Sequence, residues 1–170
     1  MKTILTVIIF AVAFAFIEAA VVVYLRHLVG FTPPPVGKDE IAVILPGIAF
    51  LKSNAAVKIV GSQAMLYIEM IREAATLVVL VSVAALAGKR LGEGLAYFFL
   101  AFGIWDIFYY VFLRLTLGWP RTLSDLDVLF LLPVPWVGPV FVPILISAIL
   151  ILSSLVYLNR RQALLKGREE

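Results

Sequence analysis

Five ionisable side chains interrupt long runs of Ile, Val, Leu, Ala and Phe: Glu18, Glu69, Arg72, Glu73 and Asp106. Placing Arg or Asp at the centre of a membrane helix costs roughly 2.5–3.5 kcal/mol, so such groups turn inward and find partners. At about 100° per residue, Glu69, Arg72, Glu73 and Thr76 share one helical stripe, and Phe102, Asp106, Tyr109, Tyr110 and Leu113 share another. With a rise of about 1.5 Å per residue from the run midpoints, Glu18, Arg72, Glu73 and Tyr109 fall at one level. Asp106 lies nearer the centre and Glu69 nearer the outer surface. The spacing therefore predicts one intramembrane polar cluster of Glu18, Glu69, Arg72, Glu73, Asp106, Tyr109 and Tyr110. Arg26 and the loop acids Asp125 and Asp127 are possible outer contributors.

Charge defines what such a cluster can do. Its four carboxyls face one arginine, or two if Arg26 folds back, and two or three uncompensated negatives are prohibitive in a low dielectric. Some carboxyls must therefore hold protons, or a cation must sit among them. In the plainest reading Arg72 is a structural lock on Glu18, Glu73 or Asp106, with the other acids neutral and bonded to tyrosines. In the functional reading the acids carry protons or bind a cation, with Glu18, Glu73 and Asp106 as candidate metal ligands. Glu69-x-x-x-Glu73 supplies half of a carboxylate metal site, but no histidine stands near it. Asp125-x-Asp127 is either a chelating pair or, more ordinarily, a solvated turn or helix cap.

Composition removes many other chemistries. The 170 residues contain no Cys and one His, His27, which excludes disulfides, thiol nucleophiles, c-type haem, bis-histidine haem, iron–sulfur clusters and an HExxH protease within one chain. His27 falls opposite Glu18 on its helix and reads as an interfacial residue. The net charge of +3 comes from basic residues at helix ends and carries no nucleic-acid signal. With 63% hydrophobic residues and a mean hydropathy of +1.07, the chain lies far outside the soluble range.

The elements that must position the cluster are four transmembrane spans, near 4–25, 64–87, 95–117 and 140–158, in an all-α bundle. Together they make one membrane domain over 1–158, followed by a basic tail at 159–170. The first run is too long for a signal-peptide core, and Ala11, Ala15 and Ala19 form a small-residue stripe for close helix approach. Phe31 to Glu40, with its three prolines, is a loop, and Gly88 to Glu93 a tight hairpin. Ser53 or Asn54 can cap a long helix leading into the second span. Two short apolar pieces, Ile41–Leu51 and Val128–Leu132, are too short to cross and read as interfacial or re-entrant segments on the outer face. Trp119 and Trp136 suit an interfacial belt. The third span is crowded with aromatics from Tyr97 to Phe112, which either pack or line a pocket for a quinone, pigment or lipid tail. Gly103 marks a close helix contact.

Lys and Arg are denser at the termini and the hairpin than in the longer loops, which favours both termini in the cytoplasm of a cell with the chain in its plasma (inner) membrane. The stretches FGIWDIFYYVFLRLTLGWP and DVLFLLPVPWVGPV, with IEAAVVVYLR and IREAATLVVL, resemble a family of small prokaryotic polytopic membrane proteins. The resemblance spans roughly two thirds of the chain and implies no activity. Two functions are then expected. The first is an integral membrane subunit or small carrier whose cluster handles protons or a cation. The second is a membrane enzyme acting on a lipid or isoprenoid, using the acids and a divalent metal. The bilayer is the certain partner in either case, with other membrane subunits or a second copy of the chain as further ones. The residues fix no cofactor.

Overall fold

The computed structural model describes residues 2–29 and 38–166. Among these residues are five α-helices, α1 (Lys2–Val29), α2 (Ser53–Val60), α3 (Gln63–Ala87), α4 (Leu91–Leu117) and α5 (Phe141–Lys166), and a short 3-10 turn at Lys38–Glu40. Between them lie four strands: β1 (Ile41–Leu45), β2 (Ile48–Leu51), β3 (Leu126–Phe130) and β4 (Trp136–Pro139). Helices α1, α3, α4 and α5 are each long and apolar enough to cross a membrane.

The expected all-α architecture needs correction. The two short apolar pieces, expected as interfacial or re-entrant segments, contribute strands instead: Ile41–Leu51 is the hairpin of β1 and β2, and Val128–Leu132 covers the end of β3, which pairs with β4 in a second hairpin. The two hairpins join into one antiparallel sheet in the order β1-β2-β4-β3. In the first hairpin Pro46 presets the turn and Gly47 takes φ 81°, a value only glycine adopts freely, so Leu45 pairs with Ile48. The hairpins meet where Ala49 and Phe50 pair with Val137 and Trp136. At Gly138 an added Cβ would stand 2.6 Å from the Gly47 carbonyl oxygen, so the approach of the two hairpins requires glycine there.

Two further boundaries differ from expectation. The long second helix is split, because Gly61 ends α2 at φ 95° and Ser62 restarts the chain by accepting a bond from the Met65 N–H at 3.2 Å. The N-cap of α2 is Lys52 rather than Ser53 or Asn54. Helix α5 also runs on to Lys166, so most of the expected basic tail is helical. The proline-rich stretch at 31–37 and the residues from 167 onward lie outside the described residues.

Helix α4 is the hub, packed against α1, α3 and α5, while α1 and α3 touch each other far less than either touches α4. The small-residue stripe explains the α1 side: Ala11, Ala15 and Ala19 are at most 1% exposed. Gly103 explains the α5 side, since a Cβ there would stand 2.7 Å from the Ser147 carbonyl oxygen and 2.8 Å from Ile151 Cγ1. The main core, including Val7, Ala11, Leu80, Ala84, Leu100 and Ala101, fills the half of the bundle remote from the sheet. Leu51, Ala55, Ile59 and Val137 seal the sheet against α2.

Candidate functional site

Where α1 and α3 part on either side of α4, the structure holds a cavity of about 130 Å³. Helix α1 contributes Glu18, Val22, Leu25 and Arg26, which share one face at helical spacing. Helix α3 contributes Glu69, Arg72, Glu73 and Thr76, and α4 contributes Trp105, Asp106, Tyr109 and Tyr110. Strand β3 and the residues following it, with Ile59 and Val60 of α2, close the sheet end.

Glu18 of α1 accepts hydrogen bonds from the Arg72 guanidinium and, at 2.5 Å, from the Thr76 hydroxyl. Arg72 also donates to Glu69 Oε2 through Nε at 2.9 Å, with Nη2 at 2.8 Å from the same oxygen. One guanidinium thus serves two carboxylates and ties α3 to α1. Glu73 instead faces the sheet end, where its Oε2 accepts the Leu131 backbone N–H at 2.8 Å. On the far side Asp106 accepts from the hydroxyl of Ser147, a buried residue of α5, at 2.8 Å.

Asp127 of β3 reaches into the bundle, accepting from the Tyr110 hydroxyl at 3.2 Å and lying 4.0 Å from Arg26. Burial pushes its carboxyl up to about 6, against the downward pull of Arg26 and the Tyr110 hydrogen bond. Arg26 in turn stacks 4.1 Å from the centroid of the Trp119 ring. Asp125, by contrast, belongs to a turn. It accepts from the Thr122 hydroxyl and the Arg121 N–H, both at 2.7 Å, and these bonds hold its carboxyl below the ordinary range.

The structure therefore brings Glu18, Glu69, Arg72, Glu73, Asp106, Tyr109, Tyr110, Arg26 and Asp127 to the wall of one cavity. It leaves Asp125 out, and the Asp125 and Asp127 carboxyls face different partners. Glu18, Glu73 and Asp106 each serve a different element. Among the described residues no three His, Cys, Asp or Glu side chains converge in a way that holds a metal ion. The aromatics of α4 contact one another in series, as in Phe98–Phe102, Phe102–Trp105 and Trp105–Tyr109, with centroids 5.6–6.3 Å apart. Trp105, Tyr109 and Tyr110 also border the cavity.

Two contributors had little signal in the sequence. Ser147 is an isolated hydroxyl in an apolar helix, and its one hint is Ser154, also buried, two turns later on the same face. The Leu131 N–H has no side-chain signature at all. No family model, curated protein or solved structure matches the chain, so its function must be argued from this geometry.

Proposed function

We propose that this is an integral membrane subunit or small carrier whose intramembrane cavity handles protons or a cation. The observation that carries the reading is a charge imbalance. Five carboxyl groups, on Glu18, Glu69, Glu73, Asp106 and Asp127, line a single cavity with only two guanidinium groups, on Arg26 and Arg72. Ionising all five would leave three negatives without partners in a medium that solvates them poorly, so protons or a bound cation must complete the balance. A purely structural lock needs no such surplus. Arg72 with Glu18 and Glu69 would suffice.

The density of Lys and Arg at the termini and the α3–α4 turn supports a plasma-membrane chain with both ends in the cytoplasm, which puts the sheet on the outer face. The test is pH-driven proton uptake and monovalent-cation uptake by proteoliposomes containing the full chain. Glu73→Gln and Asp106→Asn should each reduce one of these fluxes at least about tenfold, as loss of an essential titrating group does. Fluxes equal to those of protein-free vesicles, or unchanged in both variants, would refute the reading.

A further inference from the structure

The cavity's weakest wall is the one between α1 and α3, which pack on each other far less than either packs on α4. What crosses that gap is polar: Glu18 on α1 with Arg72 and Thr76 on α3. The side chains beside this link are apolar and exposed, with Ile17 58% and Ile71 69% accessible, so in a bilayer the outside of the link faces lipid. The Arg72 side chain itself keeps 24% accessibility, against 7% for Glu18. An ion pair thus stands as a bar between a charged cavity and hydrocarbon.

The lining is also two-sided in charge. The surplus carboxyls call for a cationic group. The Arg26 Nε–H on α1 and the Trp105 Nε1–H on α4, both from residues that line the cavity, are buried with no hydrogen-bond partner among the described residues, and Trp105 is only 7% exposed. Two unmatched donors call for an acceptor oxygen. A head group that joins an ammonium to an oxyanion meets both demands, and its tail can leave between α1 and α3.

We infer that the cavity takes the zwitterionic head group of a membrane amphiphile, an ammonium paired with a phosphate as in phosphoethanolamine lipids, admitted sideways through the Glu18–Arg72 gap. The inference rests on the cation-holding reading and names the cation as part of a lipid. The ammonium sits towards Glu73 and Asp106, and the phosphate towards Arg26 and Trp105. No bond is made or broken.

The experiment is native mass spectrometry of the full chain with equimolar phosphatidylethanolamine and phosphatidylglycerol, repeated with free phosphoethanolamine as competitor. One phosphatidylethanolamine per chain should be retained about tenfold over phosphatidylglycerol. Combining Glu73→Gln with Asp106→Asn should abolish that preference while circular dichroism stays unchanged, and free phosphoethanolamine should compete at least about a hundredfold more weakly than the lipid. Equal retention of the two lipids, or equal competition by the free head group, would overturn the inference. Proton and cation uptake measured on the same preparations separates the two claims: uptake without lipid preference sinks this inference and leaves the cation reading standing. If a double variant unfolds, Trp105→Phe, which removes the indole N–H with part of the ring but keeps an aromatic side chain, should lower the lipid preference at least about threefold, and no change would count against the assignment.

Discussion

Replacing Asp127 by Asn keeps the shape and an acceptor for the Tyr110 hydroxyl while deleting a titration. The folded protein holds the Asp127 proton up to about pH 6, whereas the ordinary value is 3.8. Between those limits the folded state binds the proton and an unfolded chain does not, so stability falls as pH rises through this window and levels off above it. At about 1.4 kcal/mol for each pH unit, the window amounts to about 3 kcal/mol, an order-of-magnitude figure for a fully buried group. Asp127→Asn should therefore gain on the native chain by up to about 3 kcal/mol between about pH 4 and about pH 7. Unfolding in detergent can be followed by the fluorescence of Trp105, Trp119 and Trp136, two of which sit on the cavity wall or against Arg26. The difference between variant and native curves isolates this residue from the other carboxyls. A difference that stays constant across the range would refute the argument.

Three further outcomes follow from contacts. Arg72→Gln strips the partner from both Glu18 and Glu69 and should cost about 2–4 kcal/mol, somewhat below a fully buried pair because Arg72 is partly accessible, with Glu18→Gln in the same chain recovering part of it in a double-mutant cycle. Gly103→Val forces a Cβ against the Ser147 carbonyl and should cost about 1–3 kcal/mol or more of thermal stability, while Gly94→Ala, whose nearest neighbour is 3.9 Å away, should be neutral or stabilising by about 0.5–1 kcal/mol. Glu73→Ala should lose about 1 kcal/mol more than Glu73→Gln, because only Gln keeps an acceptor for the Leu131 N–H, and hydrogen exchange at Leu131 would show the difference directly.

The four long apolar helices and the shared faces of the charged residues were legible because both depend on local rules. A run of about twenty apolar residues has one reading, and 3.6-residue periodicity puts Glu69, Arg72 and Glu73 on one face whatever else the chain does. The sheet was not legible for the opposite reason. Ile41–Leu45 and Leu126–Phe130 are near-continuous apolar runs without alternation, and over five residues period cannot tell strand from helix. The two hairpins meet through β2 and β4, which are far apart in the chain, and nothing local announces that Phe50 meets Trp136. The Pro46-Gly47 turn and the Gly61-Ser62 stop-and-restart each outweighed the apolar pattern around it, and the second was missed because the helical pattern runs on through it. Asp127 shows the same division at one residue. Its type marked it as a candidate, but only the strand that carries it turns it away from Asp125 and onto Arg26 and Tyr110.

The position of the cavity along the bundle limits how any carrier of this design can operate. Its polar wall lies in the sheet-side half, and below Asp106 the helices close over Ala15, Leu80, Ala84, Leu100 and Ala101, with no more than 2% exposure at any of them. On the α4–α5 seam the next buried hydroxyl past Ser147 is Ser154, about 10 Å further along the helix, too far for a direct hydrogen bond between the two. If the proposed function holds, a proton that enters from the sheet side reaches Asp106 and stops, and passage to the other face requires a second arrangement of the helices. The gap between α1 and α3 is the place for it, because one ion pair and one hydroxyl link hold that pair together there, whereas both helices pack broadly on α4. In sealed proteoliposomes of known orientation, the infrared carbonyl band of protonated carboxyls should follow the pH of the sheet-side compartment. It should ignore the opposite compartment on the timescale of mixing, and Arg72→Gln should let both compartments be felt. A band that answers equally to both sides in the native chain would mean that the apolar half is not a barrier, and the two-state argument would fall with it.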